Sequence, residues 1–243
     1  MSTADNDKDD IPNICAYCGK GEENGKSLKA CTACKLVKYC SRECQIAHRP
    51  QHKKECKKRA AEIHDEKLFK QPPQPEDCLI CMLRLPSLDS GRKYYSCCGK
   101  VICSGCAYAP VYDDQGNIII EKSCPFCRTP IPTSDEEMTE QDDKRIKLND
   151  SIAIYNRGCD YDIGKCGFPQ DRSKAMQLWH KAGELGCSQA YHNIGCAYET
   201  GDGVEIDKEK AKHYYELAAM QGHVKARHML VILTDGQAIW IEH

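Results

Sequence analysis

The sequence predicts a multidomain chain: two small cross-braced, metal-stapled units of minor α+β content, followed by an all-α helical-repeat segment. Three observations predict it. Nineteen cysteines stand against three Phe and two Trp in 243 residues, so small units here bury too little apolar surface to be secure without metal. Most of the cysteines before residue 128 fall in short-spaced pairs, a spacing that points two thiolates at one ion. Beyond residue 150 the chain repeats itself with a period of 36 to 37 residues, which is the signature of a solenoid.

In chain order, residues 1–13 are acidic and lack an apolar pattern, and they are expected to form a disordered tail. The opening MSTADNDKDD offers no signal peptide, and no apolar run is long enough to span a membrane. A cytoplasmic or nuclear, reducing location is therefore expected, with no membrane partner. Disulfides are the bland alternative for so many cysteines, but the odd count and the metal-like pairs argue against them. A net charge of -2 excludes little.

The first ligand series is Cys15, Cys18, Cys31, Cys34, Cys40, Cys44, His52 and Cys56, closing in YCSRECQIAHRPQHKKEC. In nearly every motif position, including Tyr39, Gln45 and the final H-K-x-x-C, it is similar to a MYND zinc finger. The resemblance implies that Cys15, Cys18, Cys40 and Cys44 hold one zinc, and that Cys31, Cys34, His52 and Cys56 hold another. His48 competes with His52 for the last set. His52 is preferred because its i, i+4 spacing to Cys56 places both on one helix face, leaving His48 to the surface. Between Cys15 and Arg59 there are twelve Lys or Arg and four Glu. That surplus points either to phosphates or acidic proteins or merely to a solvated face. Without interleaved aromatics to stack bases, nucleic acid is not expected as a partner.

KKRAAEIHDEKLFK, residues 57–70, is expected to be helical, and QPPQP ends it because consecutive prolines remove amide donors. The second ligand series follows: CLIC, SCCGKVICSGC and CPFCR, with eight cysteines between Cys78 and Arg128. The order of its pairs resembles a RING finger, most specifically in Pro125 after the seventh ligand and Arg128 after the eighth. The family's cross-brace implies Cys78, Cys81, Cys103 and Cys106 on one zinc, and Cys97, Cys98, Cys124 and Cys127 on the other. Where the usual RING has a histidine ligand this chain has Lys100, so the second pair is assigned to adjacent thiols, as in an all-cysteine variant. The relative use of Cys97 and Cys98 stays open. Ser134 and Glu137 then fit a capping box opening an acidic helix.

AIYNRGCDYDIGKCGFPQDRSKAMQLWHKAGELG, from Ala153, aligns with AYHNIGCAYETGDGVEIDKEKAKHYYELAAMQG, from Ala190. The small residues of each copy allow close helix contact, and this part resembles Sel-like repeats, relatives of tetratricopeptide repeats. The first copy departs from the pattern at Arg157, where the second has Ile194. A third copy starts at Ala226 but lacks its glycine at Val231 and ends in TDGQAIWIEH, either truncated or docked elsewhere. Cys159, Cys166, Cys187 and Cys196, with the histidines of this segment, lack paired ligand spacing and are expected to be packing or surface groups.

The expected organisation is thus a tail at 1–13, a MYND-type finger at 14–59, a helix and Pro-rich linker at 60–76, a RING-type finger at 77–131, an acidic linker or helix at 132–150, and repeats at 151–243. Four structural zinc ions are expected, each closed by four protein ligands and leaving no position for a catalytic water. No nucleophile elbow or phosphate-binding glycine loop is present. No methyltransferase domain accompanies the MYND-like unit, although some lysine methyltransferases carry one. The RING resemblance implies a ubiquitin ligase with no covalent catalytic residue, in which Ile80 and Pro125 seat a ubiquitin-conjugating enzyme and Arg128 bridges that enzyme and ubiquitin. The MYND resemblance implies proline-containing peptide ligands, and the repeats imply a further protein partner. The alternative is a non-enzymatic scaffold using the same three surfaces.

Overall fold

The computed structural model describes residues 12–22, 27–70, 76–86, 89–112, 114–119 and 123–233. The expectations for most of the acidic tail, for QPPQP and for TDGQAIWIEH lie outside the described residues. Among these residues no helix is long and apolar enough to cross a membrane. The chain divides into two compact units, Met1–Lys70 and Gln71–His243.

In the first unit, β1 (Lys29–Ala30) and β2 (Lys38–Tyr39) pair antiparallel and lead into α1 (Arg42–Phe69). Ser41 starts the helix, its Oγ accepting from the Cys44 amide at 3.3 Å. The sequence places His52 and Cys56 on one helix face and predicts a helix over 57–70, with a module boundary at 59. Instead α1 runs unbroken through both points and carries three of the ligands. Pro50 hides this in the sequence, since an interior proline usually marks a helix end. Here it is exposed, and the carbonyl it leaves free belongs to Ile46, itself exposed to water. The buried cluster is Cys15, Leu28, Cys31, Cys34 and Tyr39, so ligand cysteines stand where a larger domain would place aliphatics.

The second unit opens with β3 (Arg92–Tyr95) and β4 (Lys100–Cys103), an antiparallel hairpin with Arg92 opposite Cys103. The short helix α2 (Ser104–Ala107) follows, then a smaller hairpin of β5 (Val111–Tyr112) and β6 (Ile118–Ile119). Leu85, Tyr95 and Ile102 pack against Cys78 and Cys124. Next comes α3 (Asp135–Lys147), capped by Ser134 Oγ at 3.2 Å from the Glu137 amide. The Glu137 carboxylate accepts from the Thr133 amide at 2.9 Å, one residue further back than a capping box requires.

The repeats form two antiparallel helix pairs, α4 (Ser151–Ile163) with α5 (Arg172–Glu184) and α6 (Ser188–Thr200) with α7 (Lys208–Met220), followed by α8 (Val224–Leu233). Gly164 and Gly201 end α4 and α6 with φ of 70° and 80°, a conformation that costs glycine little. Asp171 and Asp207 cap α5 and α7. Trp179 of α5 and Tyr215 of α7 are buried at matching positions. Each lies so close to a glycine of the paired helix that a Cβ on Gly158 or Gly195 would fall 2.6 or 2.7 Å from the ring.

Helix α3 clasps the hairpin of the second metal unit to the first repeat. Tyr94 of β3 donates its hydroxyl to Asp150 Oδ2 at 3.0 Å, and Arg145 of α3 donates Nε and Nη2 to the same oxygen at 2.9 and 2.7 Å. The other oxygen, Oδ1, accepts from the Ile152 and Ala153 amides and so caps α4. The Arg145 guanidinium lies against Gly99, where no Cβ fits, and Ser96 Oγ reaches Gln141 Oε1 at 3.4 Å. Arg157 belongs to this seam. Its buried guanidinium donates to Asp143 Oδ1 at 2.8 Å and to the Thr139 carbonyl at 3.3 Å. Arg157 thus faces an acidic helix, whereas Ile194 is buried in the repeat core, which accounts for the departure of the first copy from the pattern.

Candidate metal centres

Four groups of four ligand atoms form, and within each all atoms lie within 4.8 Å of one another. They are Cys15, Cys18, Cys40 and Cys44; Cys31, Cys34, His52 and Cys56; Cys78, Cys81, Cys103 and Cys106; and Cys97, Cys98, Cys124 and Cys127. In both units the pairs interleave, first with third and second with fourth.

Zinc fits these groups by their edges. A tetrahedral ion with four sulfurs at about 2.3 Å requires sulfur–sulfur separations of about 3.8 Å. The structure has Cys18 to Cys40 and Cys40 to Cys44 at 3.5 Å, Cys31 to Cys56 at 3.7 Å, Cys81 to Cys103 at 3.8 Å, Cys98 to Cys124 at 3.9 Å and Cys97 to Cys127 at 3.4 Å. None of the nineteen cysteines is in a disulfide. The clusters are compatible with structural zinc, each quartet supplying a closed shell.

A common turn presents the pairs. In four of them the carbonyl of the first cysteine accepts from the amide four residues on: Cys15 from Gly19, Cys31 from Lys35, Cys78 from Met82 and Cys124 from Arg128, at 2.8 to 3.0 Å. The fifth residue is left-handed in every case, with φ of 71°, 58°, 57° and 64°. Only Gly19 advertises this in sequence; at Lys35, Met82 and Arg128 the ladder holds a side chain in a conformation that favours glycine. The adjacent thiols Cys97 and Cys98 sit on the β3–β4 turn, closed by the Gly99 amide on the Tyr95 carbonyl at 2.8 Å. Both reach the same group, one toward Cys127 and the other toward Cys124.

His52 turns Nε2 toward Cys34 Sγ at 3.3 Å. His48 is outside the quartet, but it is half-buried rather than on the surface: it stacks on His52 with centroids 5.6 Å apart, and its Nδ1 lies 3.1 Å from the Tyr39 hydroxyl. It thereby holds the ligand ring in place.

Crowding without a cation splits the thiols. Burial opposes the Cys15 thiolate, yet the amides of Cys18, Cys40 and Tyr17 bring it down to about 6. Burial likewise opposes Cys31 and Cys78, and neighbouring amides again win, leaving both at about 6. Cys127 reaches about 6 chiefly through the Thr129 hydroxyl. Within the same quartets, Cys40 is pushed up to about 12 chiefly by Cys44, Cys56 to about 12 chiefly by burial, and Cys106 to about 12 chiefly by Cys103. A dication in the centre relieves this repulsion, since ligating thiols are deprotonated.

The candidate partner-binding residues flank these turns. Ile80 is 40% exposed, with Leu79, Met82 and Leu83 also exposed nearby in the sequence, and Phe126, next to Pro125, is exposed as well. Pro125 is half-buried and Arg128 is exposed.

The fold and these centres define a zinc-finger protein with a helical-repeat segment. Residues 15–56 match the model of the MYND finger, and residues 151–187 and 188–223 each match the Sel1 repeat. A SET and MYND domain-containing protein of Dictyostelium discoideum is 49% identical over 47 residues, which are 18% of this chain and 9% of the relative. A cytochrome c oxidase assembly factor 7 homolog of Drosophila melanogaster is 42% identical over 60 residues, 24% of this chain and 23% of the relative. The chain spans less than a quarter of the length of these curated relatives. Among solved structures, a Sel1 repeat protein from Oxalobacter formigenes aligns at 32% identity with a TM-score of 0.39, covering 41% of this chain and 42% of that one. Helicobacter pylori cysteine rich protein B aligns at 24% identity with a TM-score of 0.38, covering 43% and 76%.

Proposed function

We propose that this zinc-binding, protein-interaction protein acts as a RING-type ubiquitin ligase, with its MYND finger and Sel1 repeats recruiting the proteins on which it works. The observation that carries the reading is the second metal unit: its pairs interleave around two centres while Ile80 and Arg128 stay exposed on turns that the metal sites hold rigid. Such a ligase performs no bond chemistry of its own. It holds a conjugating enzyme and its thioester-linked ubiquitin in a reactive arrangement, so acceleration comes from lost orientational freedom. Ile80 and Pro125 supply apolar contact to the conjugating enzyme. Arg128 supplies a fork of donors that bridges enzyme and ubiquitin.

The test is discharge of ubiquitin from a panel of loaded conjugating enzymes by the zinc-loaded full chain. Ile80→Ala is expected to lose both discharge and binding to the conjugating enzyme. Arg128→Ala is expected to bind normally yet discharge roughly ten- to a hundredfold more slowly, the equivalent of one charge-assisted hydrogen bond of about 1.5 to 3 kcal/mol. A zinc-loaded wild type that is inert with every enzyme tried overturns the reading in favour of a scaffold.

A further inference from the structure

The cations of α1 are arranged in a way that their number alone does not reveal. Cys44, His52 and Cys56 turn one half of the helix toward the metal centres. At about 100° per residue, Lys53, Lys54, Lys57 and Lys58 all fall on the other half, while Arg49 falls beside Cys56. All four are exposed. None forms an ion pair with a described residue, whereas Arg59 is held by Glu62 and Glu66 at 3.1 and 2.9 Å. Glu55, the single acidic residue between 49 and 58, lies on the metal-facing half. The stripe is about 8 Å long at 1.5 Å per residue. It is rigid, because two metal quartets pin the helix beneath it.

From this face we infer a second function, independent of the ligase reading: α1 binds the phosphate backbone of double-stranded nucleic acid without sequence preference. Three features choose this occupant over other polyanions. Between Lys53 and Lys58 the stripe holds no exposed aromatic or aliphatic anchor, the exposed Ile46 lying about 10 Å back along the helix, whereas a protein interface needs an anchor at its centre and a membrane-surface helix needs one for insertion. All four of its cations are lysines, which meet phosphates as point charges without the fork that fixes Arg on one planar group. A duplex presents a charge every 1.7 Å or so of axis, and binding to it draws its free energy from counterion release rather than from apolar contact. The missing aromatics argue against stacking on single-stranded bases, and leave backbone binding untouched.

The experiment is fluorescence anisotropy of a labelled 20-base-pair duplex of mixed sequence, titrated with the zinc-loaded full chain from 50 to 200 mM salt. Four phosphate contacts predict a slope of log K on log salt of about -3.6. The triple variant Lys53→Gln, Lys54→Gln, Lys57→Gln is expected to flatten the slope to about -0.9 and to weaken binding on the order of a hundredfold at 100 mM salt. Its zinc content, measured in parallel, should equal that of the wild type. A control with the same loss of charge elsewhere, Lys20→Gln, Lys29→Gln, Lys208→Gln, should stay within about twofold of wild type. Equal loss in the control, absence of binding at 50 mM salt, or tighter binding to polyglutamate or to phosphatidylserine vesicles than to the duplex would each overturn the inference.

Discussion

Asp150 is the point at which the second metal unit, α3 and the first repeat meet, so removing it should unsettle all three. Asp150→Ala deletes the cap of α4, worth about 1 kcal/mol. It also leaves Arg145 and the Tyr94 hydroxyl without their shared acceptor in a seam where the two side chains of the ion pair are 24% and 10% exposed. Losing a charge-assisted hydrogen bond of this kind costs about 2 kcal/mol, giving about 3 kcal/mol in all. For a unit of the size of Gln71–His243 that is a fall of roughly 6 to 12 °C in Tm. Asp150→Asn keeps a good capping residue and loses the charge, so it should fall about half as far. The assay is thermal unfolding of the zinc-loaded chain followed at 222 nm, with released zinc read in parallel by a chromophoric chelator. A shift below about 2 °C for Asp150→Ala, or equal shifts for both variants, would refute the clasp.

Metal analysis of the full chain should give four zinc ions, and chelation should melt both cross-braced units while circular dichroism retains the signal of the repeat helices, whose core contains no ligand. Two ions instead of four would show that one unit does not bind. Gly158→Ala and Gly195→Ala should each destabilise by about 1 to 2 kcal/mol in urea unfolding, because overpacking against Trp179 or Tyr215 exceeds the helix propensity gained. Arg157→Ile copies the second repeat, yet it should lose about 2 kcal/mol, since it abandons Asp143 and the Thr139 carbonyl. Arg128→Gly should raise thermal stability slightly by relieving a positive φ of 64°, while Arg128→Ala should not.

Spacing was legible because metal ligation and solenoid packing are both local rules repeated along the chain. Cys15 with Cys18 or Cys124 with Cys127 needs only one turn to converge, and the repeat period is written in Gly158, Gly195, Asp171 and Asp207. What escaped the sequence depends on neighbours far away or on disguised signals. Tyr94 and Asp150 are 56 positions apart, and nothing local marks either as half of a hydrogen bond. The left-handed residue of the metal turns is a glycine at Gly19 but a lysine, a methionine and an arginine at its equivalents, so the motif does not announce itself. Pro50 masks the continuity of what is one helix, and His48 looked like a spare surface group because its partner, Tyr39, lies on a strand nine residues earlier.

The clasp turns the second unit into a ruler. A protein gripped by α4 to α8 is not tethered to the turn bearing Arg128 by a swinging arm; it is carried at a set bearing and a set reach, because α3 is bolted to both. Flexible tethers sample many separations and dilute each of them, whereas a rigid mount concentrates its cargo at one place and excludes the rest. On a ligase, the modified lysines would then be chosen by their position on the cargo and not by the residues around them, and lengthening α3 by a single turn would move the mark by about 5 Å.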